Sequence, residues 1–411
     1  VIRPKIEYGS AVYLWSHNSN LTNLQKCQKQ ALRQILGAVR TSPINSMHAI
    51  ASLPPLRFHI SSYTQRQLLL LSVKSPTIRE QLERLSRLLV PCRAKKYDIM
   101  KLDLQHMLTL ITDLNIYLPS TGDLNLRFSG IVPSKAFIPM IPGVKKTEQL
   151  TIENKTKTLE HISKHYQNHV QIYTDGAKND KGVGSAYFCR SHKQGEATRL
   201  RNVTSSYSAE IHGIYMALQH LLLKHSNDQC AVILTDSRSA IEALKNIKIG
   251  DVPPIHLIQI VDILQNIYSK GNRVEVQWVI SHSGIPLNLV ADHLAVRVCG
   301  VDESNASSTV SHEDCHSLFR LRHDTDWANE YSHSTGAGSW TRAALSHPLA
   351  QPWFSVRQDL PNRTSTSINR LLIGHGRTNY FLFLMRKLAS PLCTKCNSNE
   401  IQDMSHLLLH C

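Results

Sequence analysis

The middle of the sequence predicts an α/β domain with a mixed sheet, and three observations support this prediction. Residues His169–Thr174 alternate apolar and polar side chains, as a half-buried strand does. Ala231–Leu234 is fully apolar, which is typical of a strand buried in a parallel sheet. Between them, Ile211 to Leu222 form one apolar stripe at helical spacing. Strands that alternate with amphipathic helices predict a sheet covered by helices.

The other elements of this domain, which we place at residues 166–300, follow from the same patterns. The other predicted strands are Val183–Cys189, Ala197–Val203 and Val274–Ile280. The other predicted helices are Ala240–Ile247, Ile255–Tyr268 and Leu287–Val298. We therefore expect a five-stranded sheet in which the first strand ends at Asp175.

The regions on either side of this domain predict helices and linkers. Apolar residues recur at helical steps between Leu21 and Leu36, and Gly37 can end that helix. Further helices are expected at about residues 60–73 and 78–89. We expect a helical region over 1–130, a linker over 131–165, a polar linker over 301–320 and a helical C-terminal region over 321–411.

The composition describes a folded, basic protein. Of 411 residues, 42% are hydrophobic, and 46 Lys and Arg against 31 Asp and Glu give a net charge of +15. Residues 1–150 contain 20 of the basic and only 8 of the acidic residues. These basic residues could simply solvate helices, but their clustering favours nucleic acid as a partner of the N-terminal region.

Cysteine use and the chain start suggest where the protein resides. No apolar run approaches the roughly 18 residues that a membrane span needs, so no membrane partner is expected. The nine cysteines are an odd number and mostly scattered, which favours a reducing, intracellular compartment and leaves nucleus or cytoplasm open. The chain starts without Met or a signal peptide, so we expect a piece of a longer protein.

Four acidic residues fall where α/β proteins place their chemistry. Asp175 and Asp236 follow strands, Glu210 lies at the start of a helix, and Asp292 lies in the last helix. The carboxyl edge of the sheet can bring them together. Clustered carboxylates repel one another unless cations hold them, and oxygen ligands suit Mg²⁺ or Mn²⁺. Two such ions can activate a water and stabilise a leaving oxygen.

Each acid also has a simpler explanation. Asp175 could belong to a hairpin turn with Gly176, although residues 179–182 supply a better turn. Glu210 could belong to a capping box, but Tyr207 is not a capping residue. Asp236 could cap a helix, and Asp292 could be an exposed helix residue. All four in this order make a joint coincidence improbable.

The motifs around these acids resemble a type 1 ribonuclease H. The matching stretches are Tyr-Thr-Asp175-Gly-Ala, Ser-Ala-Glu210-Ile, Leu-Thr-Asp236-Ser and Trp278 to Asp292. The resemblance implies a ribonuclease H-like mixed five-stranded sheet and cleavage of the RNA strand of RNA–DNA hybrids. It implies two Mg²⁺ (or Mn²⁺) ions, both contacted by Asp175.

The same resemblance implies the roles of the other site residues. Glu210 and Asp236 would hold the ion on the leaving-group side, and Asp292 the ion on the attacking-water side. His282 matches a histidine near the scissile phosphate that aids proton movement or product release. Its spacing of ten residues from Asp292 supports this assignment.

The N-terminal flank resembles the segment after the polymerase palm in non-LTR retrotransposon reverse transcriptases. The similarity covers Ile6–Trp15 and Leu24–Gly37, and implies thumb and connection regions. The chain lacks the polymerase's aromatic-x-Asp-Asp motif. We therefore expect an upstream polymerase part in the parent polyprotein and no polymerisation by this chain.

The last residues predict a small zinc-binding module. Cys393, Cys396, His406 and Cys411 offer three thiolates and one imidazole, a suitable tetrahedral set for one Zn²⁺. The alternative is a chance Cys-x-x-Cys pair. The spacing resembles the zinc-binding tail of the same retrotransposon polyproteins and differs from the retroviral zinc knuckle.

Two functions remain open: an active hybrid ribonuclease, and a decayed retroelement copy that keeps the fold and binds nucleic acid without cutting it. All four acids favour the first. The second draws on Leu287 and Leu289, which replace the Gly and Glu of the family motif. We expect Leu289 to bury against the sheet and to shift the helix that contains Asp292, which would weaken catalysis.

Overall fold

The computed structural model describes residues 5, 8–10, 18–93, 98–116, 132–144, 152–224, 230–247, 253–281, 284–306 and 310–411. Within these ranges the residues form two compact units. One consists of residues 1–67, 89–104 and 319–411, and the other of residues 68–88 and 105–318. None of the described helices is both long enough and apolar enough to cross a membrane. The nine cysteines, all of them described, are unpaired.

The predicted helices of the N-terminal region form, with boundaries slightly wider than the sequence indicated. They are α1 (Asn18–Leu36), α2 (Ile44–Ile50), α3 (Leu56–Lys74), α4 (Pro76–Leu89) and α5 (Asp98–Asp113). Gly37 follows α1 with φ +62°, a conformation that favours glycine, and so ends the helix as predicted.

The α/β region contains the predicted strands and helices in the predicted order. Its strands are β1 (Phe137–Ile138), β2 (Val170–Asn179), β3 (Gly182–Cys189), β4 (Gln194–Leu200), β5 (Cys230–Thr235) and β6 (Arg273–Trp278). Its helices are α6 (Ile152–Tyr166), α7 (Ser206–Lys224), α8 (Arg238–Asn246), α9 (Ile255–Ser269) and α10 (Pro286–Val298). The sheet is mixed, as expected.

Sheet order explains how the site is built. The six strands run β1-β6-β5-β2-β3-β4; β2 to β4 are antiparallel neighbours, and β2, β5, β6 and β1 pair in parallel. The helices α7 and α10 both pack on β2 and β3, and α9 packs on α7. The residues of the central strand β5 from Ala231 to Thr235 are all buried. A strand that is covered on both faces requires apolar side chains on both, which explains the apolar run from Ala231 to Leu234.

Two segments expected to be linkers are folded parts of this unit. Within 131–165, β1 adds a sixth strand beside β6, and α6 places Ile162 and Tyr166 in the core of the α/β region. Within 301–320, Asp314 is buried and accepts hydrogen bonds from the backbone N–H of Ser205 (3.0 Å) and from the Ser208 hydroxyl (2.8 Å). These contacts join residues distant in sequence, so local composition did not indicate them.

The first and last regions of the chain share one core, which differs from the expected division into separate regions. Leu32 and Leu36 of α1 pack in a cluster that also contains Ile373. The Asn369 side chain donates a hydrogen bond to the Leu36 carbonyl, at 3.3 Å. The C-terminal helices are α11 (Cys315–His333), α12 (Ser339–Ala344), α13 (Trp353–Val356), α14 (Asn362–Ile373) and α15 (Asn379–Leu384), followed by a π-helical turn at His406–His410.

Candidate active site

Three of the four predicted acids converge at one edge of the sheet. Asp175 lies on β2, Glu210 on α7, and Asp236 directly after β5; one carboxylate oxygen from each lies within 4.8 Å of the others. The parallel register aligns Thr174 with Thr235. The next residues, Asp175 and Asp236, therefore emerge side by side where β5 ends.

Asp175 does not end its strand, contrary to the sequence-based expectation. The strand β2 continues to Asn179 because its outer half remains paired with β3, and Asp175 faces Ala186 in that ladder. The pairing of β2 with β5 ends at Thr174, directly before Asp175. The turn lies at residues 179–182, as expected, where the Asn179 side-chain oxygen accepts hydrogen bonds from the N–H groups of Lys181 (2.9 Å) and Gly182 (3.2 Å).

Gly176 allows Asp175 and Glu210 to meet. A Cβ at this position would lie 2.4 Å from the backbone nitrogen of Glu210 and 2.6 Å from the carbonyl carbon of Ala209. The first turns of α7 thus press directly on β2. The Ser185 hydroxyl on β3 donates to the Ala209 carbonyl at 2.7 Å and fixes the same approach.

Asp292, the fourth predicted acid, lies half-exposed on α10, whose position depends on a second close approach. A Cβ on Gly184 would lie 2.2 Å from the carbonyl oxygen of Ala295, so α10 packs backbone to backbone on β3. The charge of Asp292 contributes to the raised pKa of Asp175. Its carboxylate nevertheless lies outside the group formed by Asp175, Glu210 and Asp236.

The cluster concentrates negative charge in a poorly solvated place. Burial, followed by the charges of Asp236 and Asp292, raises the pKa of Asp175 to about 8, although the N–H of Gly176 donates to its Oδ1 at 2.7 Å. Burial, followed by the charges of Asp236 and Asp175, raises the pKa of Glu210 well above its usual value.

This arrangement fits divalent cations. Glu210 Oε2 is buried and has no hydrogen-bond partner. An orphaned carboxylate oxygen beside two further carboxylates is the donor set that a hard cation requires. The backbone of Asp236 is fixed because its carbonyl accepts from the Trp278 indole N–H at 3.2 Å. The residues present thus suit Mg²⁺ or Mn²⁺.

Two further predictions concern the loop and helix that follow β6. His282 lies outside the described residues, so its position relative to the acids stays a prediction. Leu289 is 37% exposed on α10, so the expectation that it buries against the sheet is wrong. A leucine in the first turn of α10 can remain at the surface, and it gives no reason for a displaced Asp292.

Sequence reasoning missed the two glycines that permit these approaches. The sequence pattern offers Gly176 only as a turn residue and does not mark Gly184. A glycine inside a strand pattern is a recognised signal of close backbone approach, and it could have identified both positions.

The four predicted C-terminal ligands also lie together. Donor atoms of Cys393, Cys396, His406 and Cys411 are all within 4.8 Å of one another. An antiparallel bridge between Leu392 and Ile401 folds the segment back on itself.

Hydrogen bonds orient these ligands. Cys393 Sγ accepts from the backbone N–H of Lys395 (3.3 Å) and from the Gln402 side chain (3.2 Å). His406 Nδ1 lies 2.9 Å from a Glu400 carboxylate oxygen, and its Nε2 lies 3.2 Å from Cys396 Sγ. A carboxylate on Nδ1 leaves Nε2 to act as a ligand, an arrangement common in metal-binding histidines.

Comparison with known proteins agrees with the geometry of the acid cluster. No curated protein was found to match the chain. The family model described as RNase H matches residues 167–300, which is about a third of the chain and includes all four acids. The match, the mixed sheet and the converging carboxylates identify residues 167–300 as an RNase H domain.

Proposed function

We propose that the chain is a divalent-metal-dependent endonuclease that cleaves the RNA strand of RNA–DNA hybrids. The observation that carries the proposal is the convergence of Asp175, Glu210 and Asp236 within 4.8 Å, inside a segment that matches the RNase H family. Hybrid selectivity would come from contacts to 2′-hydroxyls on one strand and to deoxyribose on the other.

The family resemblance implies a separate role for each of these residues. Asp175 would contact both ions, Glu210 and Asp236 the ion on the leaving-group side, and Asp292 the ion on the attacking-water side. The ions would activate the water and stabilise the leaving oxygen. Asp292 is half-exposed, and its charge contributes to the raised pKa of Asp175, which suits a ligand of a metal ion that water can reach. His282 would assist proton movement or product release.

The wider context is part of the same proposal. The N-terminal region would be a thumb and connection segment of a retrotransposon reverse transcriptase, joined to an upstream polymerase part. Lys26 and Lys29 of α1 are among the basic residues in excess there, and they would contact phosphates of the nucleic acid. An intracellular location, in nucleus or cytoplasm, fits nine unpaired cysteines.

A cleavage assay on a labelled RNA–DNA hybrid, with and without Mg²⁺, tests the enzymatic proposal. We expect cleavage of the RNA strand only with Mg²⁺ or Mn²⁺, and none of RNA–RNA or DNA–DNA duplexes. If the chain binds the hybrid but never cuts it with either ion, the enzymatic proposal fails and the non-catalytic retroelement copy takes its place.

We also propose that the C-terminal cluster binds one Zn²⁺ through Cys393, Cys396, His406 and Cys411. The support is the shared location of four suitable donors and the Glu400 contact that orients His406. The full chain purified with Zn²⁺ should lose one ion per chain in the double variant Cys393→Ser/Cys396→Ser. An unchanged zinc content would exclude this site.

A further inference from the structure

We propose a second transition-metal site in the RNase H domain, formed by Cys189, His192 and His220 and suited to Zn²⁺. One donor atom from each of these residues lies within 4.8 Å of the others. The two nitrogens and one sulfur select a borderline-soft ion, whereas the oxygen-only acid cluster suits Mg²⁺. This site is chemically distinct from the proposed nuclease centre.

The fold brings the three ligands together from two elements. Cys189 is the last residue of β3 and is fully buried, and His192 lies in the turn between β3 and β4. That turn is tight: the N–H of Lys193 donates to the Arg190 carbonyl at 3.3 Å, and Lys193 has φ +49°. A Cys-x-x-His spacing across such a turn directs both side chains to one side of the hairpin.

His220 supplies the third ligand from α7. It is 5% exposed, and its Nε2 lies 2.8 Å from His192 Nδ1, which in turn lies 3.3 Å from Cys189 Sγ. It is ten residues from Glu210 on the same helix, which corresponds to about 15 Å. The two sites are therefore well separated along α7.

The hydrogen bonds around His220 present the correct nitrogen to an ion. The Tyr187 hydroxyl donates to a Glu196 carboxylate oxygen at 3.4 Å, and it has only this one proton to give. When Tyr187 gives that proton to Glu196, the contact between His220 Nδ1 and the Tyr187 oxygen, at 3.0 Å, uses the proton on Nδ1. This leaves the lone pair of His220 Nε2 directed at His192 and Cys189.

The observed spacing is close to what a tetrahedral ion requires. Zn–N bonds of about 2.0–2.1 Å and a Zn–S bond of about 2.3 Å place such ligands roughly 3.3–3.6 Å apart. The separations of 2.8 and 3.3 Å thus need to open by only a few tenths of an ångström. His192 is exposed, so an ion can enter from solvent and keep water at its fourth position. Such an ion would clamp the β3–β4 hairpin to α7.

The test uses Co²⁺ as a spectroscopic probe on the full chain. The background is Cys393→Ser/Cys396→Ser, which disables the C-terminal cluster. We expect this variant, with excess Mg²⁺ present to fill the acid cluster, to show a thiolate-to-cobalt charge-transfer band and the intense visible absorption of one tetrahedral Co²⁺ site. His192→Ala should abolish both signals, and it should fold because His192 is exposed. His165→Ala, at another exposed histidine of the same unit, should leave them unchanged.

A second variant tests the orientation argument. Tyr187→Phe removes only the hydroxyl that fixes His220 and should weaken Co²⁺ binding by about 10–100-fold, with the charge-transfer band retained at saturation. If the background variant gives no charge-transfer band at saturating Co²⁺, the three side chains are only a hydrogen-bonded cluster and the proposal is overturned. Retention of the band in His192→Ala would overturn this ligand set.

Discussion

At the scale of single residues, the acid cluster is a compromise between stability and function. Burial and mutual repulsion raise the pKa values of Asp175 and Glu210, so holding these carboxylates together opposes folding. Buried carboxylates with strongly raised pKa values are typical of functional sites. Removing one charge from this cluster should therefore lower activity without lowering stability.

We expect Asp236→Asn to abolish hybrid cleavage while the melting temperature stays the same or rises. The amide keeps the volume of the carboxyl but removes a charge that raises the pKa of both neighbours. Cleavage of a labelled hybrid and thermal unfolding, measured on the same preparation, check the two halves of the prediction. Asp180→Asn, in the exposed β2–β3 turn, is the matched control and should cut normally. Full activity in Asp236→Asn would remove Asp236 from the site.

At the scale of elements, glycines set the distances between helices and strands. Gly176 and Gly184 allow α7 and α10 to approach β2 and β3, and these two helices contain Glu210 and Asp292. The positions of the two acids thus depend on glycines, which have no side chain.

We expect Gly176→Ala to reduce cleavage strongly and to destabilise the fold by about 1–3 kcal/mol. The new methyl would push the start of α7 away from β2 and separate Glu210 from Asp175. Gly300→Ala is the control, because a Cβ there would meet its nearest atom, the Arg297 carbonyl oxygen, at 3.8 Å. Cleavage rate and urea unfolding of both variants test this, and equal behaviour of the two would contradict it.

Acid should destabilise the protein partly through the segment before α11. Burial, followed by the charge of His316, lowers the pKa of His312 from 6.5 to about 4. Between these pH values the unfolded chain binds a proton that the folded chain does not. The contribution of neutral His312 to stability is therefore fully present above about pH 6.5 and is lost as the pH falls toward 4. This loss amounts to at most about 3 kcal/mol.

His312→Gln should remove this part of the pH dependence. Urea unfolding between pH 4 and 7 is the measurement, and the stability of the variant should change less steeply over that interval than the wild type. His333→Gln, at an exposed histidine, should keep the wild-type slope. Identical slopes for wild type and His312→Gln would show that His312 is not neutral in the folded protein.

At the scale of the whole molecule, charge is distributed unevenly. Residues 1–150 hold 20 Lys and Arg against 8 Asp and Glu, whereas residues 301–411 hold 10 of each. An anionic ligand should therefore gain most of its salt-dependent affinity from the N-terminal part of the chain.

We expect Lys26→Gln/Lys29→Gln to weaken hybrid binding and to lower the slope of log affinity against log salt by about two, since each phosphate contact contributes about one. Arg363→Gln/Lys387→Gln removes the same charge from exposed positions in the C-terminal region and should leave the slope unchanged. Equal slopes for both double variants would mean that α1 does not contact the phosphates.

The sequence by itself determined the candidate site residues and the order of elements in the segment that matches the RNase H family. Alternating strands, apolar helical stripes and four acids at strand and helix boundaries are local patterns, and local patterns are readable without a structure. The candidate C-terminal zinc ligands were equally visible, because Cys393, Cys396, His406 and Cys411 lie within one short segment.

Only the tertiary structure decided what depends on contacts between distant residues. It joined the two flanking regions into one core, added β1 to the sheet, kept Leu289 at the surface and continued β2 past Asp175. It also brought His220 to the hairpin turn that contains His192. The physical reason is that pattern and propensity act over a few neighbouring residues, whereas backbone approach and ligand geometry depend on how whole elements pack.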